Sequence, residues 1–466
     1  MPQNFIRGDV DQGFLLPPDV RDWLPEGELA WTVKDVVESM DLSAFRRSYR
    51  ANGQGAAAFD PALMVAVLMY AHAVGVRSSR SIERRCAHDV AFRVLAGNQL
   101  PDHATIARFF TRHREALEGL FAQVLRLCAE AGMVRLGVIA VDGTKIAANA
   151  SWSANRTAAA MAHQITEEQA RFDRLAAELL DEQAATDAAE DAEHGPDRGD
   201  ELPPGLRGRA ERLARLREAK ARLDAEQEAA VADQEAKKAE WARRKEAGTR
   251  RGAQPGEHPP GRNPDKDKPP RANTTDPDSR AMRGGRGLVQ GYNAQAAVTA
   301  DQVIVGGLLT QEAVDAGLMF DVVDDVVEQL TEVGIENTAD VSDAWVADAG
   351  YANEAAFTEA ENRNVHLLAP MISDERRAAG EDPAGNEPLT LRPATARAQA
   401  KLRTRQGRDE YALRGRTVEP VFGQIKDRQG LRRFLRRGLD NVKTEWSLAC
   451  TVHNLRKIHA HRLATA

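Results

Sequence analysis

Cysteine is scarce in this chain of 466 residues, and long apolar runs are absent from it. The three cysteines, Cys86, Cys128 and Cys450, are far apart and odd in number, so no disulfide framework is predicted and a reducing compartment fits best. The longest apolar run, residues 62–76, is too short to cross a bilayer and contains His72. The first ten residues have no signal-peptide pattern. We therefore expect a cytoplasmic protein that does not enter a membrane.

The chain also lacks the net positive charge that is typical of a nucleic-acid-binding protein, because its formal net charge is −7. This average hides a strong segregation of charge. Residues 166–201 contain thirteen acidic and three basic residues, whereas residues 401–466 contain sixteen basic and six acidic residues. A basic stretch of this kind is either a solvated face or a surface for a polyanion. The stretch also contains Glu419, a candidate site residue, and this position favours the polyanion.

Residues 1–134 have a helical pattern throughout, and we predict a helical N-terminal domain with possible DNA binding. Asp60 and Pro61 begin an apolar helical run, and residues 31–45 and 105–132 are each predicted to form one helix. Short helices separated by turns rich in serine and arginine suit a helix-turn-helix DNA reader. They suit a packing bundle equally well, so both alternatives stay open.

A short buried strand is predicted at residues 138–141, and Asp142 ends it. A carboxylate in this place is costly unless it is paired or binds a metal, although it can also cap a turn before Gly143. Residues 152–285 are different in character. Two helices with near-heptad leucines, separated by prolines, predict a helical hairpin, and a stretch rich in proline, glycine and charge predicts disorder after it. We treat residues 152–285 as an insertion into the fold around Asp142.

Strand patterns return after the insertion. Residues 293–298 and 303–309 predict a hairpin, residues 313–333 a helix, residues 344–347 a strand that delivers Asp348 to its end, and residues 365–368 a further strand. A polar loop of about forty residues is then expected before Glu419. These elements predict a mixed sheet with right-handed β–α–β connections, at whose strand ends a site can form.

Glu419 lies where a helix is predicted to begin, with Thr417 as its cap and Pro420 in its first turn. Lys426 follows seven residues later, so the two side chains share a face if Glu419 is already helical. The carboxylate could then hold a hard cation and the ammonium a neighbouring phosphate. The alternative is a carboxylate that only faces the positive end of the helix.

Three carboxylates from separate elements, Asp142, Asp348 and Glu419, are thus expected to meet. Oxygen ligands without nearby histidine or cysteine suit Mg²⁺ or Mn²⁺. Thiol and imidazole groups do occur together at Cys450, His453, His459 and His461, but their spacing fits no common zinc site, and a packing helix is the better interpretation.

Several strings of the sequence resemble those of DDE transposases from bacterial insertion sequences. They are VIAVDGTKIAANAS, TDPDSRAM followed by GYNAQAAV, VADAGY, and Tyr411-x2-Arg414-x4-Glu419-x6-Lys426. The N-terminal strings GVRSSRSIERR and LPDHATIARFF are also similar to that family. The resemblance covers nearly the whole chain, apart from the insertion and the loop before Arg414. Each string is weak alone, but their order is specific.

The resemblance implies an α/β (α+β) fold, with a ribonuclease-H-like mixed sheet in residues 135–151 and 286–466. It implies a catalytic triad of Asp142, Asp348 and Glu419 that binds two Mg²⁺ ions, which Mn²⁺ may replace. The implied reaction is cleavage of DNA at the ends of the mobile element and strand transfer into target DNA. The implied partners are the terminal inverted repeats and the target DNA, and two ends suggest a homodimer at the bacterial nucleoid.

The expected DNA-binding residues combine the family signature with the basic run after it: Tyr411, Arg414, Arg416, Lys426, Arg428, Arg432 and Arg433. The usual signature has three residues between its arginine and glutamate, whereas four separate Arg414 from Glu419 here. The phosphate-binding role is therefore open between Arg414 and Arg416. Two other functions stay open as well: a metal-dependent nuclease or resolvase without strand transfer, and a non-catalytic DNA-binding protein derived from a transposase.

Overall fold

The structure is a computed structural model that describes residues 20–49, 57–194, 204–246, 270–285, 287–335, 342–371 and 392–465. Most of the stretch predicted to be disordered lies outside the described residues. Its last part is folded, however, because residues 271–273 form a strand and residues 280–284 another. The loop expected before Glu419 is described from Arg392 onward, and there it is helical rather than irregular.

The N-terminal part of the described chain is helical, as predicted. Its helices are α1 Leu29–Ser39, α2 Ser43–Arg46, α3 Pro61–Ala73, α4 Ser79–His88, α5 Val90–Leu95, α6 His103–Arg112, α7 Arg114–Glu118 and α8 Leu120–Glu130. The predicted start of α3 is confirmed, because the Asp60 carboxylate accepts a hydrogen bond from the Ala62 amide at 2.8 Å.

Two helices predicted to be continuous are broken. The prediction of one helix over residues 31–45 is wrong, because Asp41 accepts the Ser43 amide at 2.8 Å and starts α2 as a separate helix. The prediction of one helix over residues 105–132 is wrong as well. His113 leaves the helical conformation and packs its ring against Phe45 and Phe109, which divides α6 from α7.

A mixed sheet forms the centre of the molecule. Its strands are β1 Val138–Ala147, β4 Arg280–Gly284, β5 Gly287–Thr299, β6 Ile304–Gly306, β7 Leu309–Thr310, β8 Ala344–Ala347 and β9 Leu367–Leu368. The spatial order is β4-β5-β1-β8-β9, with β6 and β7 also paired to β5. β1 is antiparallel to β5 and parallel to β8, and β8 is parallel to β9. The predicted ribonuclease-H-like mixed sheet is thereby confirmed as the fold class.

The remaining helices cover this sheet: α11 Met319–Glu332, α12 Glu354–Asn362, α13 Pro393–Leu402, α14 Arg405–Tyr411, α15 Leu413–Asp427 and α16 Leu439–Thr465. α16 packs between the sheet and α3, α7 and α8. Its Asn454 side chain binds both backbone groups of Ile304, at 2.7 and 2.9 Å. One continuous hydrophobic cluster therefore includes residues of the N-terminal helices, the sheet and α16.

The insertion contains two long helices, α9 Ala158–His194 and α10 Pro204–Glu246, which pack against each other. A second, small hydrophobic cluster joins Met161 of α9 to Ala219 and Leu223 of α10. A two-stranded ribbon of β2 Asn155–Thr157 and β3 Arg271–Asn273 closes the base of the hairpin. Residues 280–284 were assigned to the insertion by sequence, but they form β4 of the main sheet because they pair with residues 287–291.

Within the described ranges, no helix combines the length and apolar character needed to span a bilayer.

Candidate active site

Asp142 lies inside a strand and not at its end as predicted. β1 continues to Ala147 because β5 pairs with it along its whole length. The neighbouring strand β8 is shorter, and its last pair joins Val141 to Ala347. Asp142 and Asp348 are consequently the next residues on adjacent parallel strands, at the point where pairing between those strands stops. The strand that delivers Asp348 is confirmed.

A close turn follows Asp348. Its Oδ1 accepts a hydrogen bond from the Gly350 amide at 2.9 Å. A Cβ at residue 350 would lie 2.9 Å from that same oxygen and 3.6 Å from Oδ2 of Asp315. Glycine at this position therefore allows the backbone to pass directly beside two carboxylates.

Glu419 lies in the second turn of α15 and not at a helix start, so that prediction is wrong. Thr417 does not cap the helix; its hydroxyl donates to the Leu413 carbonyl at 2.7 Å. Pro420 occurs inside the helix, where it cannot donate to the carbonyl of Arg416. The Glu419 side chain is 61% exposed, and its carboxylate faces the side chain of Arg414.

Arg414 contacts two of the three predicted carboxylates. Arg414 contacts Asp142 at 2.9 Å and Glu419 at 3.6 Å, and its charge also acts on Asp348. Burial raises the pKa of Asp142 to about 6, against the attraction of Arg414 and with a contribution from the negative Asp348. Burial likewise raises the pKa of Asp348. The positive charge of Arg414 thus offsets only part of the cost of two buried carboxylates.

A polar network that the sequence analysis missed lies beneath these carboxylates. Asp315 accepts hydrogen bonds from Lys145 at 2.9 Å, from Asn293 at 2.8 Å and from Gln295 at 2.8 Å. Tyr351 donates to the side-chain oxygen of Gln295. Residues 313–318 were predicted to be helical, but α11 begins at Met319, and Asp315 lies in the turn before it. Asn293 and Gln295, two polar residues on one face of a buried strand, were the available signal.

Lys426 lies on the Asp142 face of β1, because its ammonium donates to the hydroxyl of Thr144. Burial lowers the pKa of Lys426. Arg416 is exposed on α15, while Tyr411 ends α14 and is partly buried. Of the two arginines that the signature left open, Arg414 is thus turned toward the carboxylates and Arg416 toward solvent.

The basic run after α15 is attached to the end of β1. The Phe434 amide donates to the Ala147 carbonyl at 2.8 Å, and Arg433 donates to the Ala148 carbonyl at 3.1 Å. Arg428, Arg432 and Arg433 are exposed, and Arg432 forms an ion pair with Asp427.

A further arginine of this run is not part of the solvated surface. Arg436 lies over the ring of Phe110 on α6, and burial lowers its pKa to about 10. The run is therefore partly a packed connection between the N-terminal helices and the sheet.

The turn at Asp276 and Asp278 joins three parts of the molecule. Asp276 is fully buried and accepts the hydroxyl of Tyr292 at 2.9 Å and the amide of Gly438 at 3.2 Å. Asp278 accepts the Leu439 amide at 2.7 Å and forms an ion pair with Arg222 of α10. The turn thereby connects the insertion to the start of α16.

The donor set of the predicted triad suits a hard divalent cation, since all three side chains offer oxygen and two are buried with raised pKa values. Among the residues that the structure describes, no three histidine, cysteine, aspartate or glutamate side chains are grouped closely enough to hold a metal ion. Arg414 lies among the carboxylates. Cys450 and His453 are buried in the packing of α16, and His459 contacts Thr32 at 2.8 Å, so the zinc alternative gains no support.

Comparison with known families finds two matches. A transposase domain (DUF772) matches residues 18–112, and a transposase DDE domain matches residues 383–459. The second match includes Glu419 and Lys426. Neither the curated proteins nor the solved structures give a significant match. Together with the ribonuclease-H-like sheet, these two matches support a DDE transposase of an insertion sequence.

Proposed function

We propose that this transposase cuts DNA at the ends of its own element and joins those ends to target DNA. The proposal is supported by the position of Arg414, which contacts Asp142 of β1 and Glu419 of α15 and whose charge also acts on Asp348, the residue after β8. Transposases of this family generally use divalent metal ions. The three carboxylates are the residues that would hold them, and we propose two Mg²⁺ ions, for which Mn²⁺ can substitute.

When bound, such ions supply activation of a water or a 3′-hydroxyl and stabilisation of the leaving oxygen. The residues of the chain would position the metal ions and the DNA. Asp142 and Asp348 are held by rigid strand pairing, and Asp348 is fixed further by the Gly350 amide. Lys426, on the Asp142 face of β1, is placed to contact a backbone phosphate near the scissile bond. Arg414 keeps the carboxylates together before DNA and metal arrive.

The DNA backbone is proposed to follow the exposed part of the basic run, Arg428 to Arg433. This segment adjoins both the end of β1 and the N-terminal helices, so DNA held there lies next to the carboxylates. The residues 1–134 are proposed to contribute to recognition of the element ends. Because two ends must be processed together, we propose a homodimer on DNA.

The test is cleavage of a supercoiled plasmid that carries the DNA flanking this reading frame, with and without Mg²⁺. Asp142→Asn, Asp348→Asn and Glu419→Gln should each reduce cleavage by three orders of magnitude or more, on the scale of losing a catalytic group. Plasmid binding should be retained. Asp409→Asn is the matched control, because Asp409 is 75% exposed on α14 and away from the carboxylates.

Wild-type cleavage in any one of the three variants would remove that residue from the triad. Joining of the cut ends is scored on the same gel. Ends that are cut and never joined would replace the transposition proposal with a nuclease without strand transfer.

A further inference from the structure

Gln302 occupies an unusual backbone conformation in the turn between β5 and β6. Its φ angle is +61°, in the left-handed region that residues other than glycine and asparagine rarely adopt. The residue is nevertheless held firmly from two sides. Its carbonyl accepts a hydrogen bond from Nε2 of His453 at 2.9 Å, and its side chain reaches α15 and α16. The strained backbone therefore aims this side chain at two helices.

The helix that carries Glu419 has an internal defect. Pro420 has no amide hydrogen, so the carbonyl of Arg416, four residues earlier, lacks its regular helical hydrogen bond. Proline also disfavours the helical conformation of the residue before it, which here is Glu419. The turn that presents the candidate catalytic carboxylate is consequently short of one regular helical hydrogen bond.

Gln302 supplies the missing partner. Its Nε2 donates to the Arg416 carbonyl at 3.1 Å, which is the group that Pro420 leaves open. Its Oε1 accepts from Nε2 of Gln424 at 3.2 Å and from the ammonium of Lys457 at 2.8 Å. One side chain thus holds α15 on both sides of Pro420 and ties it to α16.

The anchor for this arrangement is buried. His453 is 2% exposed, and burial lowers the pKa of His453 to about 4. A neutral ring at physiological pH can donate one proton, and its partner here is the Gln302 carbonyl, which can only accept. The backbone of the turn is therefore fixed to α16 by a contact separate from those that the Gln302 side chain makes with α15.

We propose that Gln302 is a positioning residue for Glu419, acting through the Arg416 carbonyl that Pro420 leaves unpaired. The proposal rests on the proposed function only in assigning a catalytic use to Glu419. The contact itself secures the proline-containing turn of α15 whatever the helix is used for. Alanine in place of Pro420 would restore an amide donor to the Arg416 carbonyl, and the helix would then no longer depend on Gln302.

This dependence defines a double-mutant experiment. Gln302→Gly removes the side chain while permitting the left-handed backbone. We expect it to lower plasmid cleavage about tenfold or more, the usual effect of losing an outer-shell partner, with plasmid binding unchanged. Hydrogen exchange of the amides in residues 413–427 should become faster. In the Pro420→Ala background the same substitution should change cleavage by less than about threefold and leave the exchange slow.

Two further variants separate the contact from general damage. Gln302→Glu keeps the length of the side chain and its attraction to Lys457 but cannot donate to a carbonyl, so it should behave like Gln302→Gly. Asn364→Gly is the matched control, because Asn364 is also left-handed, with a φ of +55°, and is exposed beyond α12. It should leave both cleavage and exchange in residues 413–427 unchanged.

Equal losses from Gln302→Gly with and without Pro420→Ala would overturn the proposal, as would unchanged exchange in residues 413–427. Failure of the proposed function gives a different result. If Glu419→Gln cleaves as well as the wild type, Glu419 has no catalytic use, yet the exchange measurement still decides whether Gln302 secures the helix.

Discussion

Asp142 is the side chain whose environment departs furthest from that of an ordinary carboxylate in this site. It is 15% exposed, and its negative neighbours Asp348 and Asp315 oppose the attraction of Arg414. Its pKa is about 6 in the folded chain, compared with an ordinary value of 3.8. The folded state therefore binds an extra proton between these two values, and the sign of the effect on stability follows from that difference.

We predict that Asp142→Asn stabilises the metal-free protein at neutral pH. Below about pH 4 the Asp142 carboxyl is neutral in both the folded and the unfolded chain, so its burial costs no charge. As the pH rises through 6 the folded protein must bury a charged carboxylate, and the free energy of unfolding falls. An amide stays neutral throughout, so the variant should exceed the wild type by up to about 3 kcal/mol at pH 8 and equal it near pH 4. Urea unfolding of both proteins in the presence of a chelator measures this.

The control for this prediction is Asp409→Asn, which should follow the wild type at both pH values because Asp409 is exposed. A wild type that is more stable than Asp142→Asn at pH 8 would show that Arg414 outweighs the cost of burial. The ion pair of Asp142 with Arg414 would then stabilise the folded protein at neutral pH.

The start of α16 depends on the acidic turn that also receives the insertion. Asp278 accepts the first amide of α16, and on its other side it pairs with Arg222 of α10. Because Glu226 of α10 also pairs with Arg280 of β4, the long hairpin is attached to the sheet at two neighbouring points. The position of the insertion is thus coupled to the helix that packs against the central sheet.

We predict that Asp278→Ala destabilises the protein by about 1–3 kcal/mol, because it leaves the Leu439 amide without its acceptor and removes the ion pair with Arg222, which keeps its contacts with Gln311 and Glu226. The matched control is Asp233→Ala, which removes an exposed ion pair with Lys237 from the same helix α10. That change should cost less than about 0.5 kcal/mol. The urea midpoint provides the comparison, and equal midpoints for the two variants would show that the turn is not a structural joint.

At the level of the complete fold, a buried ion pair connects the N-terminal helices to α16. Arg77, which precedes α4, pairs with Glu445 of α16, and the two side chains are 7% and 3% exposed. Arg77 also donates to the carbonyls of Gly430 and Arg433, each at 2.9 Å. Glu445 in turn accepts the Leu435 amide. The pair therefore holds the basic run in place as well as the two halves of the molecule.

We predict that Arg77→Met or Glu445→Met alone costs about 3–5 kcal/mol, because either leaves a buried charge without its partner. The double variant should cost less than the two single costs together. Arg462→Met is the control, since its ion pair with Asp35 also joins α16 to α1 but is about half exposed, at 48% and 56%. It should cost less than about 1 kcal/mol. Strictly additive single effects in the urea midpoint would contradict coupling through this pair.

The segregated charge of the chain makes a further prediction about DNA. Arg432→Ala together with Arg433→Ala should weaken binding to the plasmid and reduce the slope of log K against log salt by up to about 2, since each lost phosphate contact removes about 0.9. Arg405→Ala, 93% exposed on α14, is the control and should leave the slope unchanged. An unchanged slope in the double variant would mean that these arginines are only solvated.

Local patterns were sufficient for most elements of the fold. The start of α3, the strand β8 and the hairpin of β5 and β6 were predicted correctly, and so was the start of β1 but not its end, because side-chain periodicity and helix-start signals are encoded over a few residues. The same reasoning failed at α15. Pro420 indicated a helix start, whereas the helix continues through it, and the Arg416 carbonyl accepts a hydrogen bond from Gln302.

The sequence by itself determined most of the segments that are helical or extended, where charge is concentrated, and which family the ordered strings resemble. Only the tertiary structure decided that Asp315 and Lys145 lie beneath the carboxylates, and that Gln302 supports Arg416 across 114 residues of chain. The physical reason is separation along the polypeptide. A hydrogen bond or ion pair between distant residues leaves no periodic pattern, and it exists only once the sheet and α16 have brought its two partners together.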